Sequence, residues 1–277
     1  MEHFTSHDLH LSDVRLHLYR GGHGPAVVLV HGLTDHARYW APLARALAGE
    51  YDVIAYDARG HGLSDPSPNG YHLDLLATDL VALVEALGLT RPAVIGHSMG
   101  ASTAAIAAAT HPGMFRCVIL EDPPWRSALP TNMPDMATTR TLWREDLLAM
   151  KTMDDAALLA RCRAESPGWS DEDYALWVES KKAVNPDALD VLPSFVRLWP
   201  EDVRRIDCPL LILTGEPERG ALFDPGAEQI VRQVRPDAQV VRIPGAGHQV
   251  RREGFVAYLE TVRRFLKDAV SHERGGS

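Results

Sequence analysis

The stretch Val94-Ile95-Gly96-His97-Ser98-Met99-Gly100-Ala101 decides how the rest of the chain is read. Before it, Ala93, Val94 and Ile95 make a short apolar run of the kind found in a buried strand, and after it residues 101–109 are almost all small helix formers. The spacing predicts strand, sharp turn, helix, with Gly-x-Ser-x-Gly at the turn. A serine on so tight a turn takes strained backbone angles and brings neighbouring main chain close, so Gly96 and Gly100 are expected where a side chain would clash. The helix then aims unpaired N–H groups and the positive end of its dipole at the space beside Ser98 Oγ, which suits a developing oxyanion.

Working outward, continuous apolar runs recur at residues 26–30, 53–56, 117–120 and 210–213, with a last strand at 238–243. Runs of this kind mark strands buried on both faces. Two short alternating runs, 9–11 and 14–19, separated by Ser12-Asp13, predict a hairpin at a sheet edge. Helical spacing appears at 40–48, 73–87, 227–234 and 253–270. Strand and helix alternate up to Pro124, which argues for a mostly parallel sheet covered on both faces. The rhythm then stops. Residues 125–203 hold no strand signal but carry helical periodicity at 136–153, 156–163 and 171–182. Five of the six tryptophans fall there (Trp125, Trp143, Trp169, Trp177, Trp199), with Met133, Met136, Met150 and Met153, so the segment reads as a helical cap. The organisation expected is a core of 1–124 and 204–270, a cap of 125–203 and a disordered polar tail of 271–277.

With 277 residues, 45% hydrophobic and 23% charged, the chain can bury a sizeable core. A net charge of −9 with scattered bases gives no electrostatic footprint for nucleic acid. Three separated cysteines, Cys117, Cys162 and Cys208, suit neither a disulfide framework nor a metal site. No basic and apolar leader opens the chain and no apolar stretch reaches membrane-spanning length, so a cytoplasmic protein with no membrane partner is expected. Nothing in the sequence bars a homo-oligomer.

The order strand then His31-Gly32, Asp57-x-Arg59-Gly60-x-Gly62, Gly96-x-Ser98-x-Gly100, a helical insertion, and Gly245-x-Gly247-His248 resembles the α/β-hydrolase family over residues 10–268. The resemblance implies an eight-stranded, mostly parallel sheet and a triad in chain order nucleophile, acid, histidine. Ser98 is the nucleophile it implies. His248, after the last strand on a glycine-rich loop, is the base that Ser98 needs within hydrogen-bond reach. The resemblance assigns the oxyanion donors to the N–H groups of Leu33 and Met99, whose side chains would also line the pocket, and gives His31, Gly32 and His97 to its walls. Two carboxylates compete for the acid: Glu218, on the loop where the family most often carries it, and Asp122, 24 residues after Ser98, where a smaller group does. The family's usual aspartate is replaced by glutamate on that loop, beside Arg219, and Asp122 leaves a strand end directly, so Asp122 is preferred. Glu121 should face the other side of the sheet, Asp224 should cap the following helix, and Asp57 and Arg59 should form a local ion pair.

These residues imply a cofactor-free, metal-free serine hydrolase that cleaves a carboxylic ester or lactone of a largely apolar small molecule, with Trp125 and Trp143 in the substrate pocket. A serine nucleophile argues against dehalogenase or epoxide hydrolase chemistry. The alternatives are a hydroxynitrile lyase or cofactor-independent dioxygenase of the same architecture, or a ligand receptor on the same fold.

Overall fold

Each apolar run becomes a strand of one sheet in the computed structural model, which describes residues 1, 3–128 and 135–275. In chain order the elements are β1 (Thr5–His10), β2 (Arg15–Gly22), β3 (Ala26–Val30), a 3₁₀ turn (Ala37–Trp40), α1 (Ala41–Leu47), β4 (Asp52–Tyr56), α2 (Leu73–Ala86), β5 (Ala93–His97), α3 (Met99–Thr110) and β6 (Cys117–Glu121). There follow α4 (Met136–Thr152), α5 (Asp155–Glu165), α6 (Asp171–Ala183), a 3₁₀ segment (Pro186–Phe195), α7 (Trp199–Arg205), β7 (Leu210–Thr214), α8 (Pro225–Val234), β8 (Gln239–Arg242), α9 (Val250–Glu253) and α10 (Phe255–Gly275). The sheet order is β1-β2-β4-β3-β5-β6-β7-β8, eight strands in which β2 alone runs against its neighbours. Among the described residues no helix is long and apolar enough to cross a membrane.

The continuous runs are explained by two cores, one on each face. Val28, Val30, Val94, Val118, Leu120 and Ile212 pack beneath α2 and α3, while Val27, Leu29, Ile95, Ile119, Leu211 and Leu213 pack beneath α1 and α10. Alternate residues of each strand therefore face different helices, and neither set can be polar. β3 lies between β4 and β5, so the chain reverses its direction of strand addition there. The crevice beyond the carboxyl ends of β3 and β5 is the place where such sheets bind ligands.

Between Glu121 and Leu210 the described residues contain helices and no strand. Side chains start three of them: Asp135 accepts from Thr138 N–H (2.8 Å), Asp154 from Ala157 N–H (2.8 Å) and Ser170 from Asp173 N–H (3.1 Å). The ion pair Arg38–Glu179 and the bidentate pair Arg45–Glu172 link α6 to the first helical layer, but both are exposed and add little stability. α7 packs on α3 and α8.

Several expectations change. Asp57 and Arg59 do not pair: Asp57 accepts from the N–H groups of Ala37 (2.6 Å) and Leu63 (2.9 Å), and Arg59, fully buried, pairs with Asp79 (2.6 Å) and Asp13 (3.2 Å). The final helix is interrupted at Gly254, where a Cβ would lie 2.4 Å from Ile243 Cγ2. α10 reaches Gly275, into the stretch that composition marked as disordered, because main-chain hydrogen bonding continues a helix without apolar side chains. Gly276, Ser277 and Met133 lie outside the described residues.

Candidate active site

Ser98 sits between β5 and α3 at φ 52°, ψ −111°, in the left-handed half of backbone space. The flanking glycines answer to close approaches: a Cβ on Gly96 would lie 2.2 Å from Gly100 O, and one on Gly100 would lie 2.0 Å from Val30 O. The turn thus holds the serine at the crevice between β3 and β5, half-buried, at the head of α3.

His248 bridges the other two residues chosen from sequence, Ser98 and Asp122. Its Nδ1 donates to Asp122 Oδ2 (2.6 Å), and the Ser98 hydroxyl donates to its Nε2 (3.1 Å). The ionised carboxylate can only accept, so the Nδ1–H tautomer is fixed and the Nε2 lone pair is left facing the serine. Asp122 is fully buried, at φ 41° just past β6, and also accepts from Thr214 Oγ1 (2.7 Å) and from the N–H groups of Leu222 (2.8 Å) and Phe223 (3.2 Å). Burial alone would raise its pKa, but the hydrogen bond and charge of His248, the Leu222 N–H and the Thr214 hydroxyl outweigh it and hold the carboxyl below its ordinary range. Glu218 is not brought to the site. It is exposed on the Pro217–Arg219 turn, and the carboxylate on His248 is that of Asp122. Glu121 points to the opposite face, onto Arg251 (2.9 Å), and Asp224 caps α8 through Ala227 N–H (2.7 Å), both as expected.

The turn after β3 carries Gly32, Leu33 and Thr34, and all three line the cavity. Thr34 is at φ 63°, and two neighbours hold it there. Lys181 of α6 donates to Thr34 O (3.0 Å) and Oγ1 (2.6 Å), and His61 Nε2 accepts from Thr34 N–H (3.4 Å). His31 props the same turn from below, its Nδ1 donating to Gly32 O (2.8 Å) and its Nε2 accepting from Ala58 N–H (2.9 Å). Burial lowers the pKa of His31 to about 4 and of His61 to about 3, which keeps both neutral and able to accept. His31 is therefore a prop beneath the turn and does not line the pocket. His97 does line it, its Nε2 donating to His248 O (3.1 Å), its Nδ1 facing Asp35 at 3.7 Å. A Cβ on Gly32 would come within 2.8 Å of that Nδ1, so glycine is required for His97 to fit. The N–H of Met99 is the first of α3 and has no acceptor within the helix. The Met99 side chain is buried in the core and, against expectation, is absent from the cavity wall, whereas Leu33 is in it.

Above Ser98 and His248 opens a cavity of about 560 Å³. Trp143, Trp177 and Trp199, with Met136, Leu192, Phe195 and Val196, give it an apolar wall drawn largely from the helical insertion, and Arg126, Lys181, Arg197 and Arg252 add charge. Trp125 does not reach it. That ring is buried, stacked on Trp199 (centroids 5.0 Å apart, planes 3° apart) and set edge-on to Phe223, because the loop after β6 turns it into the core.

A family model described as alpha/beta hydrolase fold matches residues 25–250, the span that carries Ser98, Asp122 and His248. The chain belongs to the alpha/beta hydrolase fold family. Among relatives, it is 33% identical over 273 residues to N-formylmaleamate deformylase of Pseudomonas putida, covering 91% of this chain and 93% of that one. It is 29% identical over 276 residues to 2-(acetamidomethylene)succinate hydrolase of Mesorhizobium japonicum, covering 96% of each. A solved structure of E-2-(acetamidomethylene)succinate hydrolase superposes with a TM-score of 0.80 at 24% identity, over 96% of this chain and all of that one, which shows the shared fold. Within this family frame, sequence reasoning missed Thr214, Lys181, Asp35 and Arg126. Thr214 carried a signal, since it ends a strand beside the one that carries Asp122; Lys181 carried none, lying in an ordinary Lys-Lys pair on a helix.

Proposed function

We propose that this member of the hydrolase family is a cofactor-free serine hydrolase that transfers an acyl group to Ser98 and then to water. The observation that carries the reading is His248 between Ser98 Oγ and Asp122 Oδ2 at 3.1 and 2.6 Å. In the first half-reaction Ser98 Oγ attacks the acyl carbonyl while its proton passes to His248 Nε2, and the imidazolium is stabilised by the Asp122 carboxylate. The N–H groups of Leu33 and Met99 receive the oxyanion, and their aim depends on the Thr34 turn and on the start of α3. His248 returns the proton to the leaving nitrogen or oxygen. Water then attacks the acyl-serine with His248 again as base.

Two bond types fit this scheme. An ester or lactone suits the apolar wall, and the two relatives, whose printed substrates both carry an N-acyl group, favour an acyl–nitrogen bond. Both lie within the same chemistry, differing in the atom His248 protonates. The test is a panel of p-nitrophenyl esters, lactones and N-formyl or N-acetyl enamides with the parent protein and Ser98→Ala. Turnover by the parent should fall by about 10⁴-fold or more in the variant at unchanged Tm. Equal turnover by the two proteins would end the proposal, and so would ligand binding with no turnover of any member of the panel.

A further inference from the structure

The protein as a whole repels anions, with 37 acidic residues against 28 basic ones and a net charge of −9. Its active-site cavity is charged the other way. Among the described residues, Arg126, Lys181, Arg197 and Arg252 line it, against a single carboxylate, Asp35.

Three of these cations already have work within the protein. Arg197 is held by Asp202 (2.7 Å) and Asp74 (3.0 Å). Arg252 is buried with its guanidinium over the Tyr39 ring (3.4 Å) and 3.5 Å from Asp173. Lys181 is hydrogen-bonded to Thr34 and lies in the field of Asp35. Arg126 is the exception. No carboxylate among the described residues forms an ion pair with it, and residues 129–134, close by in the chain, contain neither Asp nor Glu. It is half-buried, four residues beyond Asp122, on a segment stiffened by Pro123 and Pro124, so it stands on the same sheet edge as the candidate triad. A half-buried guanidinium against aromatic walls has lost part of its hydration with no charge in return, a situation that an anion entering the cavity would repair.

Resting on the reading of Ser98 as nucleophile, we propose that the substrate carries a carboxylate and that Arg126 binds it, while the tryptophan-lined wall takes the hydrocarbon part. The field of the cavity would draw such an anion in against the overall charge of the chain. The printed substrates of the two relatives, a maleamate and a succinate, both bear carboxylates and agree with this class.

The test uses two esters of similar shape, mono-p-nitrophenyl succinate, which is anionic, and p-nitrophenyl butyrate, which is neutral. In Arg126→Gln the ratio of kcat/KM for the anionic over the neutral ester should fall by about ten- to a hundredfold, the range for a charge-assisted hydrogen bond, with partial recovery in Arg126→Lys. An unchanged ratio overturns the proposal, including the case in which both rates fall together. Should the parent protein turn over neither ester, the serine-hydrolase reading is decided by the lactones and N-acyl enamides of the wider panel, and the anion site by calorimetry with succinate. Binding to the parent that Arg126→Gln abolishes supports the site; no binding at millimolar succinate, or equal binding to both proteins, overturns it.

Discussion

Three residues of the candidate site other than glycine have positive φ: Thr34 at 63°, Ser98 at 52° and Asp122 at 41°. Such conformations cost on the order of 1–3 kcal/mol each and persist where surrounding contacts over-determine them. At Asp122 those contacts are its four hydrogen-bond donors, so the residue is fixed before any substrate arrives. Replacement by asparagine keeps the shape and removes the charge that the imidazolium needs. Asp122→Asn should lower kcat by about 10⁴-fold. Glu218→Gln, altering an exposed side chain, should change it less than about threefold. Steady-state kinetics of both variants on one substrate compares them, and the reverse order would return the acid to the loop after β7. That Ser98, His248 and Asp122 come together was legible in sequence because a glycine-flanked turn and a strand-end carboxylate are local features. The inward turn of Trp125 and the outward turn of Trp143 were not, since composition places tryptophans in a segment without saying which way each ring faces.

At the scale of elements, Lys181 ties the helical insertion to the turn that carries Leu33. Removing it should leave the sheet intact but release Thr34 from a conformation it does not favour, and a shift of about 1 Å in an oxyanion donor can cost about 100-fold. Lys181→Met should therefore lower kcat by about ten- to a hundredfold with a smaller change in KM. Its Tm should hold or rise, because a fully desolvated ammonium is removed. A parallel loss of kcat and Tm would mean the lysine serves folding alone. The helices of the insertion were visible through their periodicity, whereas the caps Asp135, Asp154 and Ser170 emerged only with the structure. α7 was missed although Pro200, Glu201 and Asp202 open it and Arg204 and Arg205 close it, because seven residues are too few to show a period. β1 extends to Thr5, further than the apolar pattern indicated, because an exposed edge strand gains nothing from apolar residues.

Across the whole molecule, the neutral buried histidines set the response to acid. Burial lowers His31 and His36 to about 4 and His61 to about 3, with His97 shifted the same way. Unfolded, each takes a proton near pH 6.5; folded, each refuses it, so stability is full above that value and falls as the pH drops toward 4. His31, His36 and His61 each contribute a slope of about 1.4 kcal/mol per pH unit, and His97 acts in the same direction. Asp57, raised to about 6 by burial, acts in the opposite sense below that pH, and Asp79 is shifted the same way, but the histidines outnumber the pair. Urea midpoints should therefore fall steadily from pH 7 to pH 5, and a flat profile would contradict the neutral forms assigned to His31 and His61. The sheet and its order of elements were legible because burial on both faces leaves no polar residue to interrupt a run, whereas the charge inside the cavity joins residues 126, 181, 197 and 252, which only folding brings together.

The position of Asp122 after β6 has a consequence for how the candidate site could diversify. The segment from Glu216 to Leu222 serves Asp122 through the backbone amide of Leu222, and Gly220, at φ 93°, borders the cavity. Pro217, Glu218 and Arg219 are exposed, so drift at these three positions can reshape the entrance while the reaction itself is inherited unchanged.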